Sequence, residues 1–378
     1  MTKRVRVGVI FGGRSGEHEV SVNSAKSVMQ ALDKTKYELV PIAIDKNGRW
    51  LTGESYLQLR DAEAQSSYDA SLGESKEAST ELSGQTTPEV LKSESGLVPN
   101  HVINAIDVVF PVLHGSYGED GTIQGMLEMM NLPYVGAGVL ASAVGMDKVF
   151  MKRSFSAFDL PQVQYTSYSR KAWENNPDEV MDDVEKAIGY PCFVKPANLG
   201  SSVGISKAKD RNTLKRALNL AVAYDRKVVV EQGLDAREIE VAVLGNDNPE
   251  ASVPGEVTPS NEFYDYRAKY VDGDSVLTIP APLTPEQTEE IRTLAVRAFQ
   301  AVDGSGLGRV DFFVERTTGA IYVNEINTMP GFTEISMYPK LWQATGVPYP
   351  KLIERLIDFA IERYQEKEKI KTDFSLGE

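Results

Sequence analysis

The sequence predicts a protein of mixed class, α/β at the N-terminus with a parallel sheet, then α+β. Three observations carry this. Short β-branched runs alternate with helical stretches over the first 140 residues, and their C-terminal ends carry glycine-rich polar loops. Further along, strand-like runs follow one another closely and end in a hairpin pattern. The length of 378 residues suits two or three domains at roughly 150 residues each.

Val5 to Phe11 reads as a buried strand broken by Gly12-Gly13-Arg14-Ser15-Gly16, and Val20 to Leu32 as an amphipathic helix with Val20, Val28, Ala31 and Leu32 on its apolar side. Tyr37 to Ile44 is a second strand, closed by Asp45-Lys46-Asn47-Gly48. Residues 61–100 hold eight serines, eight acids and two bases, Lys76 and Lys92, with few large apolar side chains. Such a stretch cannot build a core and is expected to be a mobile surface insertion. Ile106 to Leu113 is a strand followed by the loop His114-Gly115-Ser116-Tyr117-Gly118-Glu119-Asp120-Gly121 and the helix Thr122 to Met130, where Met126, Met129 and Met130 read as core packing. In open α/β sheets, ligands collect at such strand ends. Then come a helix bearing Lys148, a strand Cys192 to Lys195, a loop Asn198 to Gly204, strands Lys227 to Glu231 and Ile239 to Leu244, the helix Pro285 to Ala301, a hairpin and two C-terminal helices.

Composition excludes several classes. Forty basic against fifty-four acidic residues give a net charge of -14, which opposes binding to duplex nucleic acid. The single cysteine, Cys192, rules out a disulfide framework or a Cys-rich zinc site. No apolar run approaches the roughly 20 residues of a membrane span. Met1-Thr2-Lys3-Arg4 leads into a β-like run rather than an apolar leader, so a cytoplasmic protein is expected. No Gly-x-Ser-x-Gly elbow supports a serine hydrolase.

The sharpest chemical pattern is Arg309-Val310-Asp311 with Asn324-Glu325-Ile326-Asn327. A three-residue loop, Thr317-Thr318-Gly319, would pair Arg316 with Ala320, hence Asp311 with Glu325 and Arg309 with Asn327. Alternation at period two then sets all four on one face. Hard oxygen donors of this kind suit Mg²⁺ and leave room for water and phosphate; a solvated face with an Arg–carboxylate pair is the plain alternative. Lys195-Pro196-Ala197-Asn198-Leu199-Gly200-Ser201-Ser202-Val203-Gly204 ends a strand in a lysine and then offers N–H groups and hydroxyls, as a phosphate cover or as a simple hairpin loop. Glu17 sits at a helix start, where an acid also serves as a cap. Asp45 could end a dinucleotide site, although the glycine pattern at Gly12 matches one poorly. His114 follows a buried strand, as a site residue or as a hydrogen-bonded structural one.

Together these motifs resemble the D-alanine–D-alanine ligases of the ATP-grasp superfamily. The carrying stretches are Gly12 to Ser21, Leu113-His114-Gly115 with Gly118-Glu119-Asp120-Gly121, Met146-Asp147-Lys148, Lys195-Pro196 with Gly200 to Gly204, Phe263 to Tyr270, Gly308 to Asp311 and Asn324 to Gly331. The resemblance implies an ATP-grasp fold with an N-terminal Rossmann-like parallel-sheet domain: residues 1–140, then a central small subdomain 141–235 and a catalytic domain 236–378. It implies ATP-dependent joining of two D-alanines through an acyl phosphate. Asp311, Glu325 and Asn327 would hold two Mg²⁺ ions, with Mn²⁺ as a substitute. Lys148, Lys195 and Ser202 would contact the phosphates, Glu231 and Leu234 the adenine, and Glu238 the ribose. Arg309 and the Gly331 N–H would form the oxyanion hole, and Glu17 would pair with the first ammonium. Ser336 and Lys269 would hold the second carboxylate, His114 would line the pocket, and Tyr270 would reach Ser201 and Glu17 as a lid. ATP and D-alanine are then the small-molecule partners, with no nucleic acid or membrane, and a homodimer is expected. A D-lactate- or D-serine-using relative, a Rossmann-type oxidoreductase and an inactive nucleotide-binding regulator are the rivals.

Overall fold

The computed structural model describes residues 3–52, 105–200, 203–258 and 276–371. The stretch 61–100, together with Ser201, Ser202, Lys269 and Tyr270, lies outside the described residues.

Four strands, β1 (Val5–Gly12), β2 (Tyr37–Ile44), β3 (Trp50–Thr52) and β4 (Val108–Val112), form the first sheet in the order β3-β2-β1-β4. β1 runs parallel to both β2 and β4, so the loops after β1 and β4 leave from the same edge. Gly12 turns the chain at φ +89°, where an added Cβ would lie 2.2 Å from the carbonyl oxygen of Ile44; only glycine fits that approach. The following helix, His18–Ala31, buries His18, Ser21, Val22, Ser24, Ala25 and Val28. Val28 and Leu32 are buried as expected, and Ala31 packs against the same core, whereas Val20 is only half-buried. Half of the buried face is polar because its serines bond to the loops around it. Ser21 Oγ accepts from the Gly12 N–H at 2.8 Å and donates to the Val112 carbonyl, tying the ends of β1 and β4. In the helix Thr122–Met129, Ile123, Gln124 and Leu127 face inward and Met129 is exposed. Met129 lies two residues beyond Leu127, on the opposite side of the turn, so it is not core.

The second sheet is antiparallel, ordered β5-β8-β6-β7, from β5 (Tyr165–Ser169), β6 (Cys192–Pro196), β7 (Ser206–Ala208) and β8 (Lys227–Gln232). Helices Arg170–Asn175, Pro177–Ala187 and Arg211–Tyr224 cover it through Trp173, Val184, Leu214 and Leu218. The third sheet holds β9 (Ala236–Gly245), β10 (Glu250–Ala251), β11 (Gly255–Thr258), β12 (Val276–Thr278), β13 (Gly306–Glu315) and β14 (Ile321–Asn327) in the order β12-β11-β9-β13-β14, with β10 on β9. One face buries Ile239, Val241, Val310 and Phe312 under the helix Pro285–Ala301. That helix begins where the sequence expected it, at a Thr284/Gln287 capping box with proline in the first turn. The other face, through Ala242, Leu244 and Leu307, joins one core with Val7, Val9 and Phe110 of the first sheet and with helices Met337–Ala344 and Tyr349–Glu368. The first and third sheets therefore share a hydrophobic interior, and the polar residues at their common margin are held on a stiff base.

Candidate active site

The pairing expected for β13 and β14 holds at the chemical residues, by a different route. The hairpin closes with Glu315 opposite Ala320: the Glu315 N–H donates to Ala320 O and the Gly319 N–H to Glu315 O, both at 2.9 Å. The loop is thus four residues long, one register away from the expected three. Asn324 then enters as a bulge, because Phe312 pairs with Val323 while Asp311 pairs with Glu325 and Arg309 with Asn327. Strict alternation from the buried Ile321 and Val323 would have sent Glu325 into the core. The extra residue re-aims it. In the neighbouring register Asp311 opposes Glu240 and Phe313 opposes Glu238, so Glu238, Glu240, Arg309, Asp311, Glu325 and Asn327 share one sheet face.

Arg309 organises that face. Its Nε and Nη2 donate to the two carboxylate oxygens of Asp311, each at 2.7 Å, and Nε lies 3.1 Å from Glu240 Oε2. Burial works against the guanidinium charge, but Asp311 and Glu240 outweigh it, so Arg309 stays protonated and held. Asn327 Oδ1 accepts from the Met329 N–H at 3.1 Å and keeps a second lone pair. Two carboxylates and an amide are hard donors that suit a magnesium-like cation with phosphate oxygens completing its shell. Among the described residues no group of three or more His, Cys, Asp or Glu is placed to hold a metal ion by itself.

Facing this surface are the lysines. Lys148 opens the helix Lys148–Ala157, capped by Asp147, whose side chain accepts from the N–H groups of Val149 and Phe150. Its Nζ donates to Leu199 O at 2.8 Å and lies 3.8 Å from Glu325 Oε2. It therefore links the Asn198–Gly204 loop to the metal-type face. Lys195, at the end of β6, donates to Glu231 Oε2 at 2.8 Å, and Lys152 Nζ stands 3.2 Å from Glu231 Oε1. All three are buried. Burial opposes ionisation of Glu231, yet the two lysine charges prevail and hold its carboxyl below the ordinary range; burial also draws Lys152 down, while Lys195 is raised against burial by the Glu231 charge. The Glu231 side chain thus faces two lysines and is not turned toward a base; only the backbone of its strand remains for adenine. Leu234 follows in the half-buried β8–β9 connection.

The loops of the first sheet close the third side. Ser15 Oγ donates to His114 O at 2.7 Å, joining the loops after β1 and β4. Glu17 occupies the N-cap position without a side-chain capping hydrogen bond, so of the plain readings only the helix dipole remains. A Cβ at Gly115 would fall 2.6 Å from Glu17 Oε2 and one at Gly200 3.3 Å away, so the carboxylate sits between two glycine backbones from different sheets. Glu119 is buried; its Oε2 accepts from the Gly115 N–H at 2.7 Å, and burial together with the Glu17 charge drives its carboxyl well above the usual range. Asp45 is excluded as a ribose ligand: it accepts from the N–H groups of Asn47 and Arg49 and from Arg49 Nε, closing its own turn.

His114 is buried with both ring nitrogens engaged, Nδ1 at 2.9 Å from Met329 O and Nε2 at 3.1 Å from Ser24 Oγ. It is a strut between the first sheet and the segment after β14. In that segment the Phe332 N–H donates to Ser24 Oγ at 3.2 Å and Tyr349 OH donates to Phe332 O at 2.6 Å. Between Met329 and Phe332, the Gly331 N–H is the one backbone donor without a partner among the described residues. Ser336 holds the N-cap position of the helix Met337–Ala344 beside it without a side-chain capping bond, its Oγ 2.7 Å from Thr333 Oγ1 and 3.3 Å from where a Gly331 Cβ would be. Sequence reasoning missed Lys152, Glu119, Glu240 and Ser24 as contributors. Lys148 and Lys152 stand four apart on one helix, a spacing that could have flagged the second lysine; Glu240 had no signal before its register was known.

Comparison with known proteins identifies the family. The family described as "D-ala D-ala ligase N-terminus" matches residues 6–137 and "D-ala D-ala ligase C-terminus" residues 154–358. A D-alanine–D-alanine ligase of Bacillus cytotoxicus is 52% identical over 371 residues, covering 98% of this chain and 99% of that one. One of Geobacillus kaustophilus is 50% identical over 371 residues, covering 98% of each. Among solved structures, the D-alanine–D-alanine ligase from Coxiella burnetii superposes with a TM-score of 0.75 at 35% identity, covering 97% of both chains. The VanG D-Ala:D-Ser ligase from Enterococcus faecalis does so with a TM-score of 0.77 at 32% identity, covering 95% of this chain and all of that one. With both halves of the family matched in order, and relatives alike over nearly their whole length, the chain belongs to the D-alanine–D-alanine ligase family.

Proposed function

We propose that this chain uses ATP to join two D-alanines into D-alanyl-D-alanine for peptidoglycan. One observation carries the reading: Lys148 and Lys195 stand against the Asp311, Glu325 and Asn327 face, and the Gly331 N–H, four residues beyond Asn327, has no partner among the described residues. Cations, oxygen donors and an oriented N–H are what phosphoryl transfer followed by acyl transfer requires.

A carboxylate oxygen of the first D-alanine attacks the γ-phosphorus, the bond to the β-phosphate oxygen breaks, and ADP leaves. The amine of the second D-alanine attacks the resulting acyl phosphate at carbon. The tetrahedral oxyanion collapses, phosphate departs with the former carboxylate oxygen, and the ammonium sheds a proton. Glu17 holds the first ammonium, and Ser336 with Lys269 holds the second carboxylate. The Gly331 N–H and the Nη1 edge of Arg309, whose other edge faces Asp311, receive the oxyanion. Lys148, Lys195 and Ser202 bind phosphates, the Glu231 backbone and Leu234 hold adenine, and Glu238 holds the ribose. His114 is read as part of the pocket wall, and Tyr270 as the lid that would exclude water over Ser201 and Glu17. Asp311, Glu325 and Asn327 would hold divalent metal, read as two Mg²⁺ with Mn²⁺ as substitute, whose chemistry there is neutralising charge on phosphate oxygens.

We also read the three sheets as three domains, 1–140, 141–235 and 236–378, and the protein as a cytoplasmic homodimer. Among the described residues no helix is long and apolar enough to cross a membrane. The test measures ADP release in Mg²⁺ with and without D-alanine, with the product identified by mass. ADP release must depend on D-alanine and yield the dipeptide. D-alanine-independent turnover, or preference for D-serine or D-lactate as second substrate, would move the chain to a rival reading.

A further inference from the structure

Helix His18–Ala31 carries serines at three-residue intervals on one side, Ser21, Ser24 and Ser27, and each bonds to a different part of the site margin. Ser21 ties β1 to β4, and Ser27 Oγ accepts from the Glu334 N–H at 3.1 Å. Ser24, wholly buried, does something more specific. It touches His114 and Phe332, and His114 touches Met329. Met329 and Phe332 flank Pro330 and Gly331.

The direction of each bond follows from chemistry. Met329 O can only accept, so His114 Nδ1 carries the proton. In a neutral ring Nε2 then accepts, and complete burial favours the neutral form. The Ser24 hydroxyl therefore donates to Nε2, and its lone pair takes the Phe332 N–H. The remaining groups of the two flanking residues are held as well, the Met329 N–H by Asn327 and Phe332 O by Tyr349. Proline supplies no N–H. The chain is gripped on both sides of one peptide whose N–H stays unspent.

We propose that Ser24 is a positioning residue that, through His114, clamps the Met329–Phe332 turn so that the Gly331 N–H is aimed at the reacting carbonyl oxygen. This rests on the oxyanion role read for Gly331 above. The clamp spans three contacts of 2.9 to 3.2 Å, two of which join residues more than two hundred apart in sequence. It gives a buried serine and histidine a common task that neither packing nor ligand contact supplies.

Two measurements test it. In Ser24→Ala, kcat should fall on the order of 10–10²-fold, as for an ångström-scale misplacement of a catalytic group, while the KM for ATP moves less than about twofold. An unchanged kcat, or a loss confined to the KM for ATP, overturns the clamp. Should that variant fail to fold, the wild-type protein still decides. With three histidines in the chain, ring-nitrogen NMR can assign each tautomer, and His114 should carry its proton on Nδ1. A proton on Nε2 alone, or an imidazolium at neutral pH, overturns it. If wild-type protein shows no D-alanine-dependent turnover, the proposed function fails instead, and the tautomer still reports on the clamp.

Discussion

Lys152, Glu231 and Lys195 form a buried group of two cations around one anion, with side chains 1%, 3% and 10% exposed. Removing the hub and removing one lysine should have unequal effects. Glu231→Gln leaves two buried ammonium groups without the carboxylate they both contact. Breaking a buried pair in this way costs about 3–5 kcal/mol, which for a chain of 378 residues corresponds to a fall in the unfolding midpoint of about 5 °C. Lys152→Met instead leaves the one-to-one pair of Glu231 with Lys195 and replaces a buried charge by an apolar chain of similar length. Such replacements run from neutral to stabilising, so the midpoint should hold or rise. The pH dependence has a definite sign. Glu231 is held below its ordinary value, so its contribution is present above the unfolded carboxyl value and is lost as pH falls through the folded one. Glu231→Gln should therefore cost most near neutrality and less in acid. Thermal unfolding of both variants at pH 7 and pH 4, with ATP binding followed in parallel, checks this. Equal destabilisation by the two substitutions would refute the charge count, and a stable Glu231→Gln would refute the hub.

Glu325→Gln keeps shape but removes a ligand charge, so ATP turnover should collapse while the circular dichroism spectrum is unchanged; near-normal turnover at low Mg²⁺ would remove Glu325 from the metal set. Arg309→Ala should lower kcat by roughly 10²–10³-fold, the scale of a lost oxyanion donor, whereas an effect on the KM for ATP alone would make it a ground-state binder. At the margin of the first sheet, the Arg6 guanidinium hydrogen-bonded to Asp107 holds that carboxyl down at about 2. Asp107→Asn should thus destabilise the protein at pH 7 and lose that effect as pH falls from about 4 toward about 2; an identical loss at pH 7 and pH 2 would contradict this. Tyr270→Phe should shift the product toward D-alanyl-D-lactate in competition between second substrates from pH 6 to 9, and an unchanged product ratio would leave Tyr270 as packing.

The hairpin shows what a sequence conveys and what it hides. Ile321-Tyr322-Val323 alternates, and the next buried residue comes three later, at Ile326. That broken period is the trace of the Asn324 bulge, yet glycine in Thr317-Thr318-Gly319 suggested a shorter loop. Two one-residue errors cancelled, so the pairing of Asp311 with Glu325 was right while the path to it was not. The helix Pro285–Ala301 was legible because proline, capping box and apolar spacing agree locally. The buried polar face of His18–Ala31 was not. Serine and histidine read as solvent-facing until the loops they bond to are in place, and those loops lie up to about 300 residues away in sequence. Glu231 illustrates the same limit: its strand was expected, but its two lysine partners come from other elements. Local chemistry was visible; long-range compensation was not.

The central claim is that a D-alanine carboxylate oxygen becomes bonded to phosphorus before the peptide bond forms. D-Alanine labelled with ¹⁸O in its carboxylate, incubated with the protein, ATP and Mg²⁺, tests this through the mass of the released phosphate. One labelled oxygen per inorganic phosphate, with one phosphate per dipeptide, is the expected result. Dipeptide formed alongside unlabelled phosphate would contradict the acyl-phosphate route and, with it, the roles read for Arg309 and Gly331.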